Sequence, residues 1–258
     1  MRKKTAAVSS VKTLNKSMLI LELLASTPGD FDLSTLTKHT HIPKSTLLRL
    51  LNTLKSHNFV QQDPQSRRFR LGWALIRLGK AAEKSFNLID TVHPYLEDLA
   101  SQSGETASLV LLDHDYAVYV DQVASPSIIR GNPPIGTPLH LHCTAAGKVL
   151  LSAFSDIDFK SFIGRAKLTR KTEKTIVDPF ILQEEMRKIK KLGYAFDDEE
   201  TEIGGRCAAA PIYNDEGTTV AAVSAMGPST RIRQSDLTSL ARMVKRIAYR
   251  ASTKLGYQ

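Results

Sequence analysis

Residues 33–72 read LSTLTKHTHIPKSTLLRLLNTLKSHNFVQQDPQSRRFRLG, and the apolar spacing within this stretch decides the N-terminal fold. Residues 33–40 are expected to form one helix, 41–43 a tight turn and 44–57 a second helix. In the second helix Leu47, Leu50, Leu51 and Leu54 recur at spacings of three and four, so they share a face. Ser45, Arg49, Asn52 and Ser56 share the opposite one. Pro43 suits a first turn, where its missing N–H costs nothing. A leucine stripe therefore anchors this helix, and a polar stripe with one arginine faces outward.

Residues 59–62 (FVQQ) have strand character, 63–66 (DPQS) are turn residues, and 67–71 (RRFRL) return as a second strand. Helix, turn, helix and basic hairpin together make a winged helix-turn-helix. In that unit the second helix enters a DNA major groove and the wing lies on the phosphates. An ordinary helical hairpin with a solvated polar face is the competing reading. The arginine-rich wing and the charge distribution favour the DNA-binding one.

The chain has 258 residues, 42% hydrophobic and 24% charged, which is enough for two modest domains with real cores. Two cysteines cannot build a disulfide framework, no export signal is legible, and no apolar run approaches membrane-spanning length. A reduced, cytoplasmic setting without membrane partners is expected. The net charge of +9 is unevenly spread. Residues 1–87 hold 15 Lys+Arg against 5 Asp+Glu, a net of +10, whereas residues 88–258 hold 20 against 21, a net of −1. A cationic front on a neutral back suits phosphate binding with counterion release.

Four segments are expected: a basic tail at 1–10, the winged helix-turn-helix at 11–72, a linker helix at 73–88 and an effector domain at 89–258. The tail is read as a plain terminus, with a minor-groove arm as the alternative. Residues 14–26 (LNKSMLILELLAS) form the first apolar helix, stopped by Thr27-Pro28-Gly29-Asp30. In the linker helix, Leu75, Leu78 and Ala82 make an apolar stripe that would pair with a second subunit or pack on its own domain. Further helices are expected at 90–103, 144–154, 179–192 and 234–255, and strands at 106–113, 116–122, 206–213 and 219–225. That order gives an α+β domain with a largely antiparallel sheet.

The segments IPKSTLLRLLNTL, RFRLG, HCTAAGKVLL, GYAFDDEETEIGGRCAAAPI and VAAVSAMGPSTRI, in this order and spacing, resemble the IclR family of bacterial transcription regulators over nearly the whole chain. The resemblance implies a winged helix, a linker helix and a GAF-like effector domain. It also implies a homodimer or homotetramer on a palindromic double-stranded operator, a small organic acid as effector, control of a catabolic operon, and neither catalysis nor a cofactor. By the same resemblance Ala145, Ala146, Asp197, Cys207 and Ser224 line the effector pocket, and Met226 departs from members with a serine there, which suggests a more apolar wall.

The residues carry a mechanism of their own. Thr144-Ala145-Ala146-Gly147 precedes a helix, where unpaired N–H groups and the positive end of the dipole would seat a carboxylate, with Lys148 adding field. A purely structural N-cap by Thr144 is the alternative. Asp197 would accept a hydrogen bond from a ligand hydroxyl, which favours a hydroxylated acid, sugar-derived or aromatic. On the DNA side, Lys44, Ser45, Thr46, Arg49 and Asn52 lie along the exposed side of the recognition helix, and Arg67, Arg68 and Arg70 would hold phosphates. Arg49 is the best candidate for a base edge.

Three other groupings carry chemistry of their own. His140, His142 and Cys143 would place both histidines on one face of a strand, but no fourth metal ligand is close in sequence. Cys143 beside a histidine suggests a nucleophile, yet nothing marks a third, orienting group. The acidic run 197–200 suggests Mg²⁺, with a solvated acidic turn as the commoner case. An enzyme using Cys143 and a non-specific architectural DNA binder are the competing function classes. The sign of the effector's action on DNA binding stays open.

Overall fold

The computed structural model describes residues 11–26, 29–85 and 87–258, with the side chains of 82–87 outside that description. The basic tail, the Thr27-Pro28 stop and the Ala82 end of the linker stripe lie outside the described residues. Two compact units are present, 1–85 and 86–258.

The first unit begins with α1 (Lys12–Ser26), α2 (Leu33–Thr40) and α3 (Lys44–Ser56). Asp32 caps α2 by accepting a hydrogen bond from the Thr35 amide at 2.7 Å, and His41 ends it in the left-handed region at φ 53°. Leu47, Leu50, Leu51 and Leu54 of α3 are buried against Ile20, Leu24 and Leu36. The expected stripe is therefore the core of the unit. The wing is β1 (Val60–Gln62) paired antiparallel with β2 (Phe69–Leu71), with Gln61 opposite Arg70. It closes on the same core through Val60 and Phe69.

One expectation is corrected here. The returning strand starts at Phe69, not at Arg67, because Arg67 sits in the turn at φ 59° and its N–H donates to the Asp63 carbonyl. The wing is followed by α4 (Trp73–Ser85), on which Trp73, Ile76 and Leu78 are exposed while Ala74 is buried.

The second unit is built on one antiparallel six-stranded sheet. Its strands are β3 (Thr106–Asp113), β4 (Tyr116–Val123), β5 (Pro138–His140), β6 (Ala195–Asp198), β7 (Gly205–Tyr213) and β8 (Thr219–Pro228), in the spatial order β5-β4-β3-β8-β7-β6. Alternation sends Ala208, Ala210, Ile212, Ala221, Val223 and Ala225 to one face, under α5 (Asn87–Ser103) and α9 (Leu237–Lys254). Ala209 and Ala222 face the other way, toward α6 (Ala145–Ser152), α7 (Asp156–Arg165) and α8 (Pro179–Leu192). The fold is thus α+β, a sheet with helices on both faces. Strands β5 and β6, of three and four residues, are too short to show a period in the sequence, and α7 is a further element beyond those expected.

No helix among the described residues is long and apolar enough to cross a membrane. Leu47 is fully buried between three helices and the wing, so Leu47→Ala is expected to destabilise the first unit by about 2–5 kcal/mol. Urea unfolding followed by far-UV dichroism checks this, and an unchanged midpoint would contradict the packing described.

Candidate functional site

Helix α6 begins where the chain leaves the sheet edge. Thr144, extended at φ −91°, is its N-cap: the hydroxyl accepts a hydrogen bond from the Gly147 amide at 3.1 Å and lies 2.9 Å from the His140 carbonyl. A Cβ on Gly147 would meet Thr144 Oγ1 at 2.5 Å and the His140 carbonyl oxygen at 2.7 Å, so only glycine lets the first turn press against the strand end. The cap and the anion seat are compatible. Thr144 consumes the third helical amide and leaves those of Ala145 and Ala146, which have no intrahelical partner by construction.

Strand register then delivers the other wall. Asp197 lies opposite Cys207, and Cys207 opposite Met226, so three residues from three strands form one row on the α6 side of the sheet. Ser224 lies two residues before Met226 on β8, opposite Ala209 and on the same face of the sheet. Thr144, Ala145, Ala146, Asp197, Cys207, Ser224 and Met226 all line one cavity of about 100 Å³. Tyr119, Leu139, Thr201, Glu202, Gly205 and Arg206 complete it. Those six were not foreseen, since their sequence neighbourhoods carry no chemical signature; Arg206 was legible only as the neighbour of Cys207.

The acidic run 197–200 is not a solvated turn. Asp197 and Glu200 are buried, and Asp197 Oδ1 accepts hydrogen bonds from the Glu200 and Thr201 amides at 2.8 and 3.2 Å. The Thr201 hydroxyl lies 2.6 Å from Asp197 Oδ2 and 3.1 Å from the Cys143 carbonyl, one proton shared between two acceptors. Burial nevertheless raises the Asp197 carboxyl above its ordinary range. The two half-buried members, Asp198 and Glu199, bind Lys174 at 3.2 and 2.9 Å, and Asp198 also binds Arg206 at 2.6 Å. Arg206 is therefore a neutralised neighbour of the cavity rather than a free cation.

Lys148 also departs from expectation. Its side chain is 1% exposed and does not line the cavity; its ammonium pairs with Glu200 and lies 3.9 Å from Glu185 of α8. Its charge is matched inside the protein, so it offers no free cation at the start of α6. Burial pushes Glu200 up to about 7 against the pull of Lys148, and Glu200 Oε2 has no hydrogen-bond partner among the described residues.

The alternative groupings fare differently. The strand ends at His140, so His142 is not on it; His142 is buried, with Nε2 3.0 Å from the Thr169 carbonyl. Among the described residues no cluster of three or more His, Cys, Asp or Glu could hold a metal ion. Cys143 is buried and burial pushes its thiol up to about 11, the opposite of an activated nucleophile.

On the first unit, Lys44, Ser45, Arg49 and Asn52 are exposed along α3, and Thr46 is half-buried. Arg67, Arg68 and Arg70 are exposed on the wing. Recognition-helix stripe and wing arginines belong to one compact unit, the geometry a groove-reading helix needs.

The buried Glu200 has a consequence for stability. Its folded value of about 7 lies above the ordinary 4.5, so between these values the folded protein holds a proton that the unfolded chain has released, and the contact with Lys148 is a full ion pair only above about pH 7. Its contribution is complete below about pH 4.5 and is lost as pH rises to about 7. Calorimetry of the second unit is expected to show this loss in the wild type, with Glu200→Gln removing it. The same pH slope in both proteins would contradict the burial argument.

Two family models match the chain: the IclR helix-turn-helix domain over residues 13–64 and the bacterial transcriptional regulator IclR C-terminal domain over residues 80–253. The acetate operon repressor of Salmonella typhimurium is 35% identical over 98% of this chain and 93% of its own length. The crystal structure of the Thermotoga maritima IclR superposes with a TM-score of 0.77 at 32% identity, covering 95% of this chain and 99% of that one. An IclR homolog from Microbacterium hydrocarbonoxydans, crystallised with 4-hydroxybenzoate, shares the fold with a TM-score of 0.83 at 20% identity, covering 94% and 98%. A basic winged helix joined to a sheet domain with a capped, ligand-sized cavity agrees with these matches at both ends: the chain belongs to the IclR family of DNA-binding transcriptional regulators and is a regulator rather than an enzyme.

Proposed function

We propose that the protein is a repressor-type regulator whose grip on a palindromic operator is set by a short organic acid bound in the second unit. One observation carries this reading: Thr144, Ala145, Ala146, Asp197, Cys207 and Ser224, from four separate stretches of chain, meet around one cavity beside a helix N-terminus. The ligand's carboxylate takes the Ala145 and Ala146 amides. A hydroxyl or other donor on the ligand meets Asp197, whose oxygens keep acceptor capacity beyond the bonds they already make. A cavity of about 100 Å³ is smaller than the ~150 Å³ that holds benzene, which favours a short hydroxy or oxo acid over an aromatic one. The acetate operon repressor, a relative over nearly the full chain, fits control of a catabolic operon for a small acid.

DNA is read by α3, with Arg49 at a base edge and Lys44, Ser45, Thr46 and Asn52 beside it, while Arg67, Arg68 and Arg70 hold phosphates. The protein acts in the cytoplasm as a homodimer or homotetramer, and the tail at 1–10, the linker at 73–88 and the effector domain at 89–258 keep the roles their sequence suggested. A ligand shifts DNA affinity only if it binds two states of the protein differently, and the linker is the segment through which that difference reaches the paired recognition helices.

Thermal unfolding against glycolate, lactate, glyoxylate, pyruvate and 4-hydroxybenzoate tests the effector reading. A ligand at a hundred times its Kd is expected to stabilise by about 2.7 kcal/mol, and Asp197→Asn and Ser224→Ala are expected to weaken that response. Unchanged responses in both variants would remove the pocket assignment. On the DNA side, Arg49→Ala is expected to cost about 1–3 kcal/mol and relax one base position. Arg68→Ala is expected to weaken all sequences alike and lower the salt slope by about one. Identical base preference in wild type and Arg49→Ala would sink the base-contact role.

A further inference from the structure

We infer that Met226, backed by Gly131, sets the size limit of the effector, restricting it to acids with a short apolar tail. This rests on the effector reading above and deepens it. Met226 lines the cavity from β8, in the row that also holds Cys207 and Asp197. A methionine wall would ordinarily yield, because its three rotatable bonds let it repack around a larger ligand. Here its retreat toward one side, the β4–β5 loop, is blocked. A Cβ on Gly131 would lie 2.6 Å from Met226 Cε, 3.1 Å from Sδ and 3.3 Å from Cγ, so the side chain already rests along the backbone of the β4–β5 loop.

That backbone is itself held. Arg231 forks onto Glu105 at 2.7 and 2.6 Å, and its third donor reaches the Ile129 carbonyl at 2.8 Å, two residues from Gly131. Glu105 is buried, so the fork works at reduced dielectric, where it is strong. The wall is therefore a half-buried, flexible side chain backed on one side by a pinned loop. Shortening Met226 opens space on the cavity side, whereas adding a methyl at Gly131 drives the thioether inward. Gly131 is not held at a positive φ, so Gly131→Ala acts through that contact rather than through backbone strain.

The two substitutions should shift ligand size in opposite directions. The probes are glycolate, lactate, 2-hydroxybutyrate, 2-hydroxyvalerate, 2-hydroxyhexanoate and 4-hydroxybenzoate, titrated calorimetrically into the full-length protein. The wild type is expected to prefer an early member and to lose affinity beyond it. Met226→Ala is expected to move the optimum to a longer acid, gaining roughly tenfold or more there, and Gly131→Ala to move it to a shorter one. Met226→Leu, nearly volume-conserving, is expected to leave the optimum in place and controls for general damage to the fold. An unchanged optimum in Met226→Ala and Gly131→Ala, with the wild type still binding, would overturn the size limit and leave the effector reading intact. If the wild type binds none of the probes but Met226→Ala gains one, the wall is upheld and the natural effector is not one of these acids. Binding by neither protein would remove both readings.

Discussion

The buried ammonium of Lys148 is the constraint on which the second unit depends. A charge with 1% of its side chain exposed is tolerable only when paired, and its partners come from two other elements, Glu185 of α8 and Glu200 of the turn after β6. The pairing fixes α6 against both. Because Glu200 donates its own amide to Asp197, the same arrangement holds the carboxylate that faces the cavity. Backbone N–H groups at the helix start, a carboxylate on the sheet and the distance between them are thus set by contacts outside the cavity. That is what preorganisation requires, since groups fixed in advance need not be ordered when a ligand arrives.

Asp197 and Glu202 line the cavity beside a paired Arg206, so among the described residues no free positive charge faces it. Arg206 is occupied by Asp198 and by the Ile232 carbonyl at 2.9 Å, and Lys148 by Glu200. On the proposed reading, attraction for an acid comes from dipoles and hydrogen bonds. These discriminate by position more than by charge, because an amide pair rewards a planar carboxylate at one place only. The first unit uses the opposite strategy. Its net +10 over residues 1–87 favours long-range, salt-sensitive attraction to phosphates, with the exposed stripe on α3 proposed to supply position.

The first unit was largely legible in the sequence, because its elements are local. The leucine spacing in 44–57 set the buried face of α3 before any contact was known, and the wing followed from a turn sequence between two short apolar segments. The error at Arg67 came from one residue taking a left-handed conformation, which a strand pattern cannot show. In the second unit the longer strands and helices were legible for the same reason. Residues 145, 146, 197, 207 and 224 as a group came from resemblance to a family, since the residues alone pointed only to a helix start at Thr144.

The sequence by itself determined which segments are amphipathic, where the charge lies and that Thr144 caps a helix, because each depends on neighbours a few residues away. Tertiary structure alone decided that Asp197, Cys207 and Met226 stand in one row, that Lys148 turns from the cavity to Glu200, and that Gly131 braces Met226. The reason is physical: strand register and the pairing of a buried charge are chosen by the whole sheet and its covering helices. Residues nearly a hundred positions apart, such as Gly131 and Met226, become neighbours only once that choice is made.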